Sequence, residues 1–299
     1  MSINKGFHAS IVNDSLRLCG EFSNISYTFF IMDTRKIIKK AELVKTKNHR
    51  LSFDLRLKSI PEAKKFLREH AVVLWDVKAE IPNLLDATLG RIANDRERTS
   101  GKSAENCSNW RTQILQDPEF LDCPFFRKIS TSLHEDLWPF VTVVSKHNRE
   151  KALDSSQTSK EAKRVVSLLS KEGRMTVPEL QKALRCTTPS EKRQLQKTRR
   201  ELNQMLILIS GADGDDLWEN RMSKAIRGRA DQIGSVEARK KLISATLRSS
   251  ILCPEKNISR WFGWLNGDAT ELKSVLDSRE FVRIEQQKTS WILPRNLIK

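Results

Sequence analysis

Residues 188–206 predict a helix that carries its own start signals and needs a core to cover one side of it. Thr188 stands at the N-cap position, Pro189 fits the first helical position, and Glu191 completes a capping box. At about 100° per residue, the leucines of this stretch fall on one stripe. They are Leu195, Leu202 and Leu206. Any fold of this chain has to bury that stripe.

The opposite stripe of the same helix is basic and carries an amide. It contains Arg193, Lys197, Arg200 and Gln204, with Lys192 and Arg199 beside it. An apolar back with a basic front is the outline of a recognition helix that faces a DNA duplex. A solvated basic surface helix is the alternative interpretation. We expect these six residues to contact DNA.

The segments around this helix predict a winged helix over residues 158–222. Two helices precede it, and each begins with a capping box. These boxes are Thr158 with Glu161 and Thr176 with Glu179. Residues 206–210 then predict a strand, and a turn at residues 212–215 leads into a return strand. Three helices followed by a β-hairpin are the winged-helix arrangement, a variant of the helix-turn-helix.

A second copy of this order is predicted over residues 234–299. Its third helix carries the charged residues Asp268, Glu271, Lys273 and Asp277. Phosphates would be repelled there, so we expect this copy to be mainly a packing domain, with Asp268 and Glu271 capping the helix. Trp261 and Trp264 are expected to be core anchors and not platforms for base stacking.

Residues 1–150 predict an N-terminal module that is harder to interpret. Strands are expected at residues 27–32 and 50–57, and a capping box at Ser59 starts a helix. A degenerate winged helix is one interpretation of the remainder. The fold class is therefore α+β, rich in helix, with tandem winged-helix domains.

Polar stretches divide the module and separate it from the central winged helix. An apolar run at residues 72–75 ends at Asp76. Residues 91–104 are polar and predict a loop, and residues 145–157 predict a linker to the central winged helix.

The charge of the chain indicates a polyanionic partner. Its 53 Lys+Arg against 37 Asp+Glu give a formal net charge of +16, which favours nucleic acid over an anionic membrane surface. No apolar run has the length of a membrane span and no signal-peptide pattern begins the chain, so we expect a cytoplasmic protein. Double-stranded DNA is the expected partner.

The residues that could carry chemistry do not support a metal hydrolase, a serine hydrolase or a nucleotide-binding fold. The five cysteines are scattered without a CxxC pair, and the five histidines form neither HExxH nor a Ser/His/Asp spacing. The eleven glycines form no phosphate-binding loop. We expect neither a metal nor a small-molecule cofactor.

Three stretches of the chain resemble the AlkZ-like bacterial DNA glycosylases. They are residues 66–91 (FLREHAVVLWDVKAEIPNLLDATLGR), residues 103–106 followed by Trp110, and residues 258–264 (ISRWFGW). The resemblance covers roughly residues 59–299. It implies tandem winged helices that form a DNA-binding cleft. It also implies excision of alkylated or crosslinked bases without a metal, by a Gln-x-Gln or Gln-x-Asp motif in the N-terminal module.

The sequence departs from that motif at its first position. If residues 73–76 occupy the motif, Leu74 replaces the glutamine and only Asp76 remains. Leucine can neither orient a water nor hydrogen-bond a base, whereas a carboxylate can stabilise an oxocarbenium-like centre or activate water. The alternative role for Asp76 is a structural cap or ion-pair partner.

Two functions therefore stay open. The chain is either a monofunctional glycosylase with Asp76 as its catalytic residue, or an inactive DNA-binding relative that acts as a repair accessory or transcriptional regulator.

Overall fold

The computed structural model describes residues 34–211, 213–265 and 269–298. This part of the chain is an α+β fold in which helices predominate over three small sheets. The strand predicted at residues 27–32 lies outside it. Within the same ranges, no helix is both long enough and apolar enough to cross a membrane.

The N-terminal unit, residues 60–134, is preceded by one helix. The elements are α1 (Thr34–Asn48), α2 (Ile60–His70), β1 (Val72–Leu74), α3 (Leu84–Leu89), α4 (Asp95–Thr99), α5 (Lys102–Ile114), β2 (Phe120–Phe126) and β3 (Ile129–His134). In the sheet, β3 lies between β1 and β2, and both pairings are antiparallel.

A long helix connects this unit to the central unit, residues 160–217. The elements are α6 (Trp138–Asp154), α7 (Lys160–Glu172), α8 (Val177–Ala183), α9 (Pro189–Gln204), β4 (Leu208–Gly211) and β5 (Gly214–Leu217). Strands β4 and β5 form an antiparallel hairpin, and an isolated bridge joins Met175 to Asp215.

Two helices lead to the C-terminal unit, residues 235–294. The elements are α10 (Trp218–Arg221), α11 (Lys224–Ala230), α12 (Ser235–Ser250), β6 (Cys253–Pro254), α13 (Glu255–Ile258), α14 (Thr270–Leu276), β7 (Phe281–Gln286) and β8 (Thr289–Pro294). Strand β8 lies between β6 and β7. The predicted order of three helices and a hairpin is therefore present in both the central and the C-terminal unit.

The predicted linker at residues 145–157 is wrong, because most of it belongs to α6. The buried face of α6 includes Val141, Ser145, Asn148 and Ala152, at spacings of three or four residues. Because Ser145 and Asn148 are polar, that face shows no apolar period in the sequence.

Two predictions in the N-terminal half are also wrong. The expected loop at residues 91–104 contains α4 and the start of α5. The sequence signal for α4 is a capping box between Asn94 and Glu97, and the structure forms both of its hydrogen bonds. The expected strand at residues 50–57 is a turn with a short 3₁₀ helix, and Phe53, on its apolar alternation, is 66% exposed.

Helix α6 is the element around which the units assemble. The largest core cluster contains side chains from the N-terminal and C-terminal units together with Val141 and Val144 of α6. The Asn148 amide, on the same helix, donates to the carbonyl oxygens of Met205 (2.8 Å) and Trp264 (3.1 Å). One buried side chain therefore joins α6 to the central unit and to the C-terminal unit.

Helix α1 packs against the C-terminal unit through buried basic groups. The Lys45 ammonium donates to the Leu252 carbonyl at 3.1 Å, and the His49 ring is 2.8 Å from the Ser249 carbonyl oxygen. Burial lowers the pKa of His49 from its ordinary 6.5 to about 3, so the ring is neutral near pH 7.

Replacing Asn148 with Ala should destabilise the whole fold. Two buried carbonyls lose a donor and a small cavity opens, at a cost of about 2–4 kcal/mol. Urea unfolding followed by circular dichroism measures the change. Asn109→Ala, at an exposed position of α5, is the matched control and should stay within about 0.5 kcal/mol of wild type. Equal stability of the two variants would contradict the role assigned to Asn148.

Candidate nucleic-acid interface

Helix α9 begins as the sequence predicts. The Thr188 backbone N–H donates to the Glu191 carboxylate at 2.8 Å, and the Glu191 N–H donates back to the Thr188 hydroxyl at 3.3 Å. Pro189 occupies the first helical position, where its missing N–H has no cost. The capping box therefore fixes where the helix starts and which side of it faces the core.

The leucine stripe of α9 is buried, as predicted. Leu195 and Leu202 are 0% and 1% exposed in a core shared with α7 and the β4–β5 hairpin. Leu206, which follows α9, is 0% exposed and belongs to the largest core cluster. The opposite side is open to solvent. Its exposed cations are Lys192, Arg193, Lys197 and Arg200. We call these four residues the α9 front.

Lys197 is the only residue of the α9 front with a carboxylate partner among the described residues. Its ammonium is 3.9 Å from Glu201, and both side chains are more than half exposed. An exposed pair at that distance is weak. The charge of the α9 front therefore remains available to a polyanion.

Arg199 does not belong with these four cations, contrary to its predicted role. Its guanidinium forms two hydrogen bonds to the Asp215 carboxylate, one of them 2.8 Å long. The Asp215 side chain is 1% exposed and that of Arg199 is 14% exposed. A buried carboxylate needs this partner, so Arg199 holds the β4–β5 hairpin against α9.

A groove with a volume of about 340 Å³ runs between α9 and the β2–β3 turn. It is lined by Pro124, Lys128, Gln196, Arg199, Arg200, Asn203, Gln204 and Ser210. The predicted Gln204 is therefore half-buried at a groove and not fully exposed. Sequence reasoning missed Lys128, Gln196 and Asn203.

Lys128 lies at this groove because the β2–β3 turn that carries it is held by the C-terminal unit. Arg127 and Lys128 both have left-handed backbone angles (φ 49° and 61°), as in the tight turn of a hairpin. The Arg127 N–H donates to the Trp261 carbonyl at 2.8 Å, which ties the turn to the C-terminal unit. No glycine or asparagine marks this turn, so a hairpin could not be predicted there from residue types.

Asp76 lies just beyond β1 and its backbone is held firmly. Its carbonyl oxygen accepts a hydrogen bond from Arg98 at 2.5 Å, and Arg98 also pairs with Asp86 at 2.6 Å. The Arg98 and Asp86 side chains are both 8% exposed. Burial raises the pKa of Asp86 in spite of this pair.

The Asp76 carboxylate itself is half-buried and, among the described residues, accepts no hydrogen bond and forms no ion pair. It is near enough to Cys107 for its charge to add to burial in raising the pKa of that thiol to about 12. The described part of the chain therefore gives this carboxylate no cap or ion-pair partner, while its backbone is held by Arg98.

Asp76 and the α9 groove lie at the same end of the first sheet. Leu74 and Cys123 both pair with Thr131, so the end of β1 and the β2–β3 turn are neighbours. However, the residues that line the groove do not include Asp76, Arg193 or Lys197.

Leu74, the residue in the motif position of glutamine, is 0% exposed and belongs to the largest core cluster. Its side chain is part of the core.

Trp261 and Trp264 are core anchors, as predicted. They are 0% and 1% exposed, and they contact Phe126 and Phe125 of β2, respectively. These contacts join the N-terminal and C-terminal units.

Potential metal ligands are scattered in the described part of the chain. It contains no group of three or more His, Cys, Asp or Glu side chains placed to hold a metal ion. Its four cysteines are free thiols, and three of them are buried.

The fold and this site define an α+β protein with a basic helix presented beside a groove. A family model described as AlkZ related matches residues 57–250, and the chain belongs to that family. This confirms the resemblance seen in the sequence.

Among solved structures, the chain is similar in fold to Streptomyces sahachiroi DNA glycosylase AlkZ. The TM-score is 0.52 at 16% sequence identity, and the match covers 86% of this chain and 70% of that chain. Comparison with curated proteins gave no match.

Arg199→Ala should lower the free energy of unfolding, and this effect should be larger than its effect on the free energy of DNA binding. It leaves the buried Asp215 carboxylate without its cation, at a cost of about 3–5 kcal/mol. Arg200→Ala, one position along on the exposed side, is the control and should change stability by less than about 0.5 kcal/mol. Thermal and urea unfolding of the two variants measure this difference. If the two variants are equally stable, Arg199 is a surface residue after all.

Proposed function

We propose that this chain binds duplex DNA, with its three units acting as tandem winged helices and α9 as the recognition helix. The observation that carries this proposal is the two-sided character of α9. Its leucine stripe is sealed in a core, while four cations on the other side are exposed. Cations in that position attract phosphates and release counterions on binding.

The C-terminal unit supports this assignment by contrast. In α14, Glu271 is buried and pairs with Arg239 at 3.0 Å, with both side chains less than 10% exposed. Its predicted capping role is wrong, since Ala269 is the N-cap residue and makes no side-chain cap. Asp268 lies outside the described residues. Because α14 uses its acid to pack on α12, we assign it a structural role.

The first test removes charge from the α9 front. Replacing Arg193, Lys197 and Arg200 together with Ala should weaken duplex binding at least about tenfold. For three lost phosphate contacts, the slope of log affinity against log salt should become shallower by about 2–3. Fluorescence anisotropy at several salt concentrations measures both quantities, and unfolding curves confirm that the fold is intact.

The control for this test replaces two cations of the C-terminal unit, Lys273 and Lys288, with Ala. It should have a much smaller effect. A larger effect of the control pair would assign the DNA contact to the C-terminal unit instead. An affinity that does not change with salt would remove nucleic acid as the partner.

A second candidate function is excision of a damaged base, and it depends on Asp76. Membership of the AlkZ-related family supports it, as does a carboxylate that is half-buried, fixed through its backbone and free of structural partners among the described residues. The base would first leave the stack. Water then adds to C1′ and gives its proton to Asp76, while the C1′–N bond breaks and its electron pair leaves with the base. The same carboxylate stabilises the positive charge that develops on the sugar.

The buried Leu74 favours the opposite outcome, a DNA-binding relative without chemistry. With a core side chain in the motif position, no amide is present there to orient the water. Leu74→Gln is a poor rescue experiment, because it buries an amide in the largest core cluster and should destabilise the fold.

Asp76→Asn separates these outcomes because it keeps the shape and removes the charge. If the chain is an enzyme, the wild type releases 7-methylguanine from alkylated duplex DNA. The variant should then lose at least about a hundredfold in single-turnover rate with little change in DNA affinity. In an inactive relative, neither protein releases base and both bind alike. Equal cleavage by both would make Asp76 structural.

A further inference from the structure

A second basic groove lies away from α9, where α1 packs against the C-terminal unit. It consists of two adjoining cavities with volumes of about 570 Å³ and 460 Å³, which share Asn48, Arg248 and Ile251 in their linings. We call it the flanking groove. Its cations are Lys47, Arg50, Lys241, Arg248, Arg279 and Arg295, and its carboxylates are Glu69 and Glu280.

Most of this positive charge is not neutralised within the protein. Glu69 is 3.6 Å from Arg50, and Glu280 is 2.8 Å from Arg248. Among the described residues, the other four cations have no carboxylate within 4.0 Å. A groove that holds several cations close together concentrates positive potential and attracts a polyanion.

The flanking groove is distinct from the α9 groove. Its lining includes Ala71 and Leu137, which flank the start of β1 and the end of β3. The α9 groove instead contains the turn at the other end of β3. Six residues of strand separate the two ends, a distance of roughly 17 Å at about 3.3 Å per residue.

The segments that form the flanking groove lie partly outside the family match. Lys47 and Arg50 precede residues 57–250, while Arg279 and Arg295 come after them. These two flanks meet because α1 packs against β7, while Lys45 and His49 are anchored on the last turn of α12 and the residues just after it. The groove therefore arises from the tertiary contact, and no single stretch of sequence shows it.

We infer that the flanking groove is a second phosphate-contacting surface for nucleic acid. The inference rests on the proposed DNA binding of α9. Two adjoining cavities with six cations in their linings offer more than one phosphate position, which suits a chain of phosphates better than one compact anion. The exposed cations, carried on α1, on α12 and on the segments beside β7 and β8, contact a backbone without reading its bases.

The test removes three exposed cations that have no carboxylate partner among the described residues. The groove variant combines Lys47→Gln, Lys241→Gln and Arg279→Gln. Its matched control combines Lys102→Gln, Lys171→Gln and Lys224→Gln, which removes the same charge from exposed positions that line neither groove. All six positions are exposed, so both proteins should fold, and thermal unfolding checks this.

Binding is measured by anisotropy with a labelled duplex of about 30 base pairs, long enough to pass both grooves at about 3.4 Å per pair. The groove variant should bind at least about tenfold more weakly than its control, with a salt slope shallower by about 2–3.

Equal affinity of groove variant and control overturns the inference. If the groove variant also loses binding of inorganic pyrophosphate, the groove belongs to a small anion. When the wild type binds DNA and only the α9 variant is impaired, the inference fails while the proposed function stands. When the wild type binds no duplex, the proposed function itself fails.

Discussion

The fold depends on polar contacts that α6 makes in a largely apolar core, above all on the amide of Asn148. Its two hydrogen bonds reach carbonyl oxygens in the central unit and in the C-terminal unit. Two further contacts of α6 repeat the pattern, since Thr142 accepts from the Trp218 indole and Arg149 pairs with Glu219. Apolar packing is not directional, whereas a hydrogen bond specifies one arrangement. Helix α6 therefore fixes how the units are placed around it.

Local signals in the sequence predicted the elements whose ends they specify. Capping boxes located α8 and α9, and periodicity located the leucines of α9, because both depend on residues within one or two turns. Helix α6 was not predicted because its buried face carries Ser145 and Asn148, whose burial depends on partners far along the chain. The strand expected at residues 50–57 failed for the related reason that alternation needs a partner strand, and none pairs with it in the described chain.

The candidate site was predictable only where it is local. Helical geometry alone identified the exposed cations of the α9 front. It could not identify Arg199 as different, because the carboxylate of Asp215 reaches that side of the helix only when the hairpin folds back. Lys128 and the flanking groove are likewise products of tertiary contacts. The family match confirms the class of protein, while Leu74 and Asp76 show that its chemistry has to be argued residue by residue.

The way α1 is anchored links protonation to the assembly of the flanking groove. His49 has a pKa of about 3 in the fold and an ordinary value of 6.5 when exposed. Between these values the unfolded chain binds a proton that the folded chain does not, so native stability falls as the pH drops below about 6.5. Burial lowers the pKa of Lys45 as well, so its contribution to stability also falls as the pH drops, but from the ordinary value of 10.5 downward. Acid therefore weakens the contact that brings Lys47 to the groove, although the same acid adds positive charge to the rest of the chain.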